Sequence, residues 1–272
     1  MNATSIPGTA HGHALVTGAS SGIGAAIARE YARRGKPLVL VARRADRLRA
    51  LVRELAATVP CQAIVADLSV RAAPRAVFAE TQARGLHVDT LVNNAGYGVP
   101  GRFLSSDWTT HADFLQVMVT AVAELTHHFL PPMEARGHGR ILNVASTAAL
   151  VPSSAGHTLY GAAKAFVIRF SESLALEQKP RGVHVTALCP GMTWTEFHDV
   201  NGMRQRVSRL PKSLWLDADS VARMGVDAVE RGDLRCVTGG MNRLVVAMSK
   251  YLPEPLARAI VDRRAADYRN AD

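Results

Sequence analysis

Short apolar runs alternate along this chain with longer stretches of helical character, and that alternation restricts the fold more than any other feature. The runs are Ala14–Thr17, Leu38–Ala42, Ala63–Ala66, Thr90–Val92, Ile141–Ala145, His184–Leu188 and Arg235–Thr238. They lack the in–out alternation of a sheet with one wet face, so they fit strands buried on both faces, as a parallel sheet requires. Between them, Gly22–Arg34, Arg47–Ala57, Arg71–Arg84, His111–Ala135 and Leu159–Lys179 read as helices. Strand and helix in strict turn predict an α/β fold: a Rossmann-like, doubly wound parallel sheet of about seven strands flanked by helices. No repeat or low-complexity linker divides residues 1–272, so one domain is expected. The aperiodic stretch at about 192–216 reads as a substrate lid. The tail at about 251–268 reads as a helix packed on the body.

Three cysteines, Cys61, Cys189 and Cys236, argue against a disulfide framework and a thiolate metal site. No segment approaches the ~20 apolar residues of a membrane span, and no secretory signal is visible, so a cytoplasmic protein is expected. The formal charge of +9 raises the question of nucleic acid. Its distribution answers against it. Nine basic residues between Arg29 and Arg53 face only Glu30 and Asp46, an excess of seven in one place. That concentration suits either a solvated helix face or a local phosphate site.

Thr17-Gly18-Ala19-Ser20-Ser21-Gly22-Ile23-Gly24 follows the first strand and opens the first helix. Glycines there let the backbone approach a pyrophosphate, and the helix N-terminus supplies N–H donors and partial positive charge. Ser20 and Ser21 add hydroxyls. After the second strand, an acid would accept from a ribose 2′-OH, whereas an arginine accommodates a 2′-phosphate. The chain has Ala42-Arg43-Arg44, which selects NADP(H) over NAD(H), with Arg43 on the phosphate.

The Gly-x3-Gly-x-Gly spacing resembles that of the short-chain dehydrogenase/reductase family, in its single-domain branch. The resemblance implies that Asp67 takes the adenine amino group beside the Leu68 N–H, although Asp67 also reads as a helix cap. It implies that Asn94-Ala95-Gly96 lies against the adenosine ribose. It further implies that Pro190, Gly191 and Thr195 grip the nicotinamide carboxamide.

Tyr160 and Lys164 stand four residues apart on one helix face. A phenol near pKa 10 is a poor base at neutral pH, and a lysine cation stabilises its phenolate. Tyr160 then serves as proton donor or acceptor at a carbonyl or alcohol oxygen, Lys164 holds the ribose hydroxyls, and Ser146 hydrogen-bonds the reacting oxygen. The expected function is hydride transfer between NADP(H) and the carbonyl or hydroxyl of a hydrophobic small molecule. Tyr97, Leu150, Met192, Trp194 and Phe197 are candidates for the pocket wall, with His157 and His198 beside them. A non-catalytic NADP(H) sensor is the alternative. The family resemblance also implies a homodimer or homotetramer through the two long helices.

Two departures stand out. Counting back from Leu130-Pro131, taken as the end of the long helix, the family usually has asparagine where this chain has Met118. That asparagine supports a water relay behind the lysine; methionine has no donor. A different water path or slow turnover is expected. The interval from Ser146 to Tyr160 is also one residue longer than is common, which a loop insertion near Ser153 would absorb.

Overall fold

The computed structural model describes residues 12–99, 101–153, 155–156, 158–195 and 214–251. Seven strands form one parallel sheet in the order β3-β2-β1-β4-β5-β6-β9. They are β1 (His13–Thr17), β2 (Leu38–Ala42), β3 (Cys61–Val65), β4 (Val88–Asn93), β5 (Gly139–Val144), β6 (Val183–Cys189) and β9 (Arg235–Val237). The expected seven-stranded, Rossmann-like sheet is therefore present.

The central strands of the sheet are covered on both sides, which is why they are mostly apolar. Side chains alternate across a strand. Ala14 and Val16 of β1 pack on one side with Ile27 and Tyr31 of α1 (Gly22–Arg33), Leu48 of α2 (Ala45–Leu55) and Val226 of a helix Ala218–Arg231. Leu15 packs on the other with Val77 of α3 (Ala73–Ala83), Phe129 of α5 (Ala121–Arg136) and Leu174 of α6 (Thr158–Gln178). All three β1 residues are fully buried.

The long helix expected over His111–Ala135 is two helices. α4 (Trp108–Leu115) starts three residues earlier, because Asp107 caps it by accepting from the Thr110 N–H at 2.8 Å. A π-helical turn, Gln116–Thr120, then separates α4 from α5. Pro131 does not end the helix. α5 runs through Pro131 and Pro132 to Gly137, whose left-handed backbone (φ 63°) supplies the C-cap.

The Ala218–Arg231 helix is α7, and α8 spans Gly240–Tyr251. Two short strands, β7 (Met192–Trp194) and β8 (Trp215–Asp217), pair in parallel at the two ends of the expected lid. Trp194 and Trp215 stack across this pair with ring centroids 4.0 Å apart. The body of the lid, residues 196–213, and the tail from 252 lie outside the described residues, as do Phe197, His198 and His157.

Strand order reverses between β1 and β4, and a doubly wound sheet opens a crevice beyond the strand ends at such a point. Gly18, Asn94, Ser146 and Gly191 all sit just beyond the C-terminal ends of β1, β4, β5 and β6.

Candidate active site

The glycine turn is built against the turn after β4. Gly18 has φ 65°, and a Cβ there would come within 2.8 Å of the Ala95 Cα. Glycine satisfies both demands at once. The Thr17 hydroxyl binds the two turns together. It donates to the Val92 carbonyl at 3.2 Å and accepts from the Asn94 and Ala95 N–H groups at 2.9 and 3.1 Å. Asn94 Nδ2 donates back to the Thr17 carbonyl at 2.9 Å, and Gly96 ends this turn beneath Met118.

At the start of α1, Ser21 makes no side-chain cap bond and the first turn carries no acid. The first turn of α1, from Gly22 to Gly24, is thus a helix N-terminus whose N–H donors and partial positive charge suit an anion. Thr195 closes over this turn from the β6 side, its Cβ 3.3 Å from where a Gly22 side chain would begin.

Ion pairs consume much of the basic cluster. Arg29 pairs with Glu54, Arg33 and Arg34 with Glu30, Lys36 with Asp89, and Arg49 with Asp46. Arg43 and Arg44 diverge. Arg43 points outward, 64% exposed, with Asp67 at 3.7 Å. Arg44 turns inward, its Nη2 donating to the Ser21 hydroxyl at 2.6 Å and to Ser20 at 3.2 Å. The sequence points to Arg43 by its place directly after Ala42, and it carries no signal that Arg44 folds back onto the glycine turn. Asp67 caps no helix. Its Oδ1 accepts from the Ser69 N–H and hydroxyl in a local turn, and α3 begins only at Ala73. Burial would raise the Asp67 carboxyl, but Ser69 and Arg43 hold it below the usual range. Leu68 beside it is buried.

Ser146, Tyr160 and Lys164 come together at the end of β5. Ser146 accepts from the Ala148 N–H at 3.1 Å and is hydrogen-bonded to the Tyr160 hydroxyl. Lys164 is buried, its Nζ donating to the Val144 carbonyl at 2.7 Å and lying 5.9 Å from the Tyr160 ring centre. Burial pulls the Lys164 ammonium down to about 8. Burial also pushes the Tyr160 phenol above its ordinary value, and the Ser146 hydrogen bond offsets only part of that. Lys164 is not a cause of the Tyr160 shift here; one of its three N–H donors is held by the Val144 carbonyl. The segment between Ser146 and Tyr160 begins with a 3₁₀ turn, Thr147–Ala149.

Met118 falls in the π-helical turn and is buried among Phe114, Ala163, Tyr97 and Tyr160. Its sulfur lies 2.8 Å from where a Gly96 Cβ would sit. Of the wall candidates, Tyr97 stands edge-on to Phe114, Leu150 and Met192 are half-buried, and Trp194 is 44% exposed. His127 and His128 are neighbours on α5, and no cluster of metal-ligating side chains occurs among the described residues. Nor is any described helix long and apolar enough to cross a membrane.

The sequence model of the short chain dehydrogenases matches residues 12–205. The chain belongs to that family. It is 40% identical to a sulfoacetaldehyde reductase of Chromohalobacter salexigens over 67% of this chain and 73% of that protein. Among solved structures, a short-chain dehydrogenase from Sphingobium yanoikuyae in complex with NADPH superposes with a TM-score of 0.78 at 32% identity, covering 96% of this chain and 97% of that one. A bulky-bulky ketone specific alcohol dehydrogenase from Comamonas testosteroni superposes at 0.73 with 29% identity, covering 97% of both chains. This short-chain dehydrogenase is an oxidoreductase.

Proposed function

We propose that this enzyme transfers hydride between NADP(H) and the carbonyl or hydroxyl group of a small molecule, reducing an aldehyde or ketone or oxidising the corresponding alcohol. The observation that carries the reading is the Ser146–Tyr160 hydrogen bond beside the buried Lys164, at the mouth of a crevice whose helix N-terminus is open to an anion. The residues present fit the dinucleotide. Gly18, Gly22, Ile23 and Gly24 with Ser20 and Ser21, held by Arg44, suit its pyrophosphate, Arg43 its 2′-phosphate, and Asp67 and Leu68 its adenine. Asn94, Ala95 and Gly96 suit the adenosine ribose, and Pro190, Gly191 and Thr195 the nicotinamide. NADPH, when bound, supplies the hydride to the carbonyl carbon.

The protein supplies the proton. Tyr160, a neutral phenol that burial holds still further from ionising, donates from its hydroxyl to the substrate oxygen as the C=O bond becomes C–OH. Ser146 donates to the same oxygen while negative charge develops on it. The tyrosinate left behind is stabilised by Lys164 one helical turn away. Tyr97, Leu150, Met192 and Trp194 form a largely apolar wall, which favours a hydrophobic substrate. The names of the relatives, an aldehyde reductase and a ketone-specific dehydrogenase, support the same reaction class. The test is NADPH oxidation across a panel of ketones and aldehydes. Consumption dependent on a carbonyl substrate is expected, and none with any member would refute it.

A further inference from the structure

Gly191 is a glycine for an unusual reason. Its backbone does not fall among the positive-φ glycines, so conformation alone would admit any residue. Space does not. A Cβ at 191 would land inside the side-chain amide of Asn242, with Oδ1 2.5 Å away and Cγ and Nδ2 nearer still. Asn242 comes from α8, where it is the one buried residue, 7% exposed.

The Asn242 amide is tied to two further segments. Nδ2 donates to the Thr238 carbonyl at 3.0 Å and approaches the Leu214 carbonyl at 3.5 Å, the outer edge of hydrogen-bond range. Thr238 is fully buried, and its own N–H donates to the Cys189 carbonyl at 3.3 Å, one residue before Pro190. Leu214 leads directly into β8, the partner of β7, and β7 starts at the residue after Gly191. Pro190 in turn accepts from the Thr147 N–H at 2.9 Å, beside Ser146. One amide thus joins the start of α8, the entry to β8 and the Pro190–Thr195 segment.

We infer that Asn242 is a positioning residue that sets where the Pro190–Thr195 segment stands over the glycine turn, and with it the fit of the nicotinamide half of the cofactor. The inference rests on the functional reading above. Asparagine is a mediocre helix former, so local helix stability does not explain its presence in α8. The non-local packing on Gly191 does. Adenosine 2′,5′-bisphosphate engages the adenosine side of the crevice and has no nicotinamide, so it separates the two halves.

The experiment measures binding of NADPH and of adenosine 2′,5′-bisphosphate to the full chain and its variants. Asn242→Ala should weaken NADPH by about 2- to 12-fold, the range of one net hydrogen bond, and leave the bisphosphate unchanged. Asn242→Asp keeps the shape but turns the donor into an acceptor facing two carbonyls, and should do at least as much harm. Gly191→Ala should weaken NADPH alone, and adding Asn242→Ala should recover part of that loss, because the obstructing amide is gone. Equal weakening of both ligands, no weakening of NADPH, or no recovery in the double variant would overturn the inference. Should Asn242→Ala fail to fold, Asn242→Asp carries the same comparison. Failure of the parent reading shows separately, as a wild type that binds no NADPH.

Discussion

The Lys164 ammonium donates to the Val144 carbonyl at 2.7 Å, two residues ahead of Ser146, so the helix carrying Tyr160 is pinned to the strand end carrying the serine. The contact is buried, and burial pulls Lys164 down to about 8 from an ordinary 10.5. Between those values the unfolded chain holds a proton that the folded chain has released. Stability from this group therefore rises with pH from about 8 towards 10.5, and the penalty is full below 8. Chemical denaturation of the cofactor-free protein at pH 8 and 9.5 should show that rise in wild type and a flatter dependence in Lys164→Met. Parallel dependences in the two proteins would contradict it.

Arg43 and Arg44 should separate by cofactor. Arg43, outward and loosely paired with Asp67, is proposed for the 2′-phosphate, so Arg43→Ala should weaken NADPH by roughly 10- to 150-fold and barely touch NADH. Arg44 holds the Ser20 and Ser21 hydroxyls of the pyrophosphate turn, so Arg44→Ala should weaken both cofactors. Titration of each variant with NADPH and NADH decides. A wild type that prefers NADH would reject the phosphate assignment outright.

Met118 is packed, with 1% exposure, against Phe114, Ala163 and the bare Cα of Gly96. An asparagine placed there would bury an amide among apolar neighbours, at a cost of about 1–3 kcal/mol. Met118→Asn should therefore lower the melting temperature by several degrees, and faster turnover is not expected. A variant at least as stable as wild type and faster would show that the site accommodates the family's asparagine and its water.

What the sequence made legible follows from burial and period. β1, β2, β5 and β6 are apolar because both faces are covered, so Leu38–Ala42 could be bounded to the residue. Tyr160 and Lys164 were legible through the company of Ser146 and the glycine turn in the family's order, since a four-residue spacing fixes a shared helix face but is by itself commonplace. β7 and β8 were not: two three-residue strands pair across twenty intervening residues, and so short a run carries no period. α7 carries a signal in the sequence, Asp217 as cap with Val221, Ala222, Val226 and Val229 on one face. The Arg44 turn onto Ser20, the Asn242 amide against Gly191 and the raised Tyr160 phenol are products of tertiary packing, on which local sequence is silent.

Tyr160→Phe tests the central claim most directly, because it removes one oxygen and keeps the ring packed on the Phe114, Met118 and Ala163 cluster. The measurement is carbonyl-dependent NADPH oxidation by wild type and variant, with NADPH affinity determined alongside. The account predicts a rate lower by about 10²- to 10⁴-fold at nearly unchanged NADPH affinity. A Tyr160→Phe enzyme that keeps most of its turnover would contradict the assignment of the proton to Tyr160.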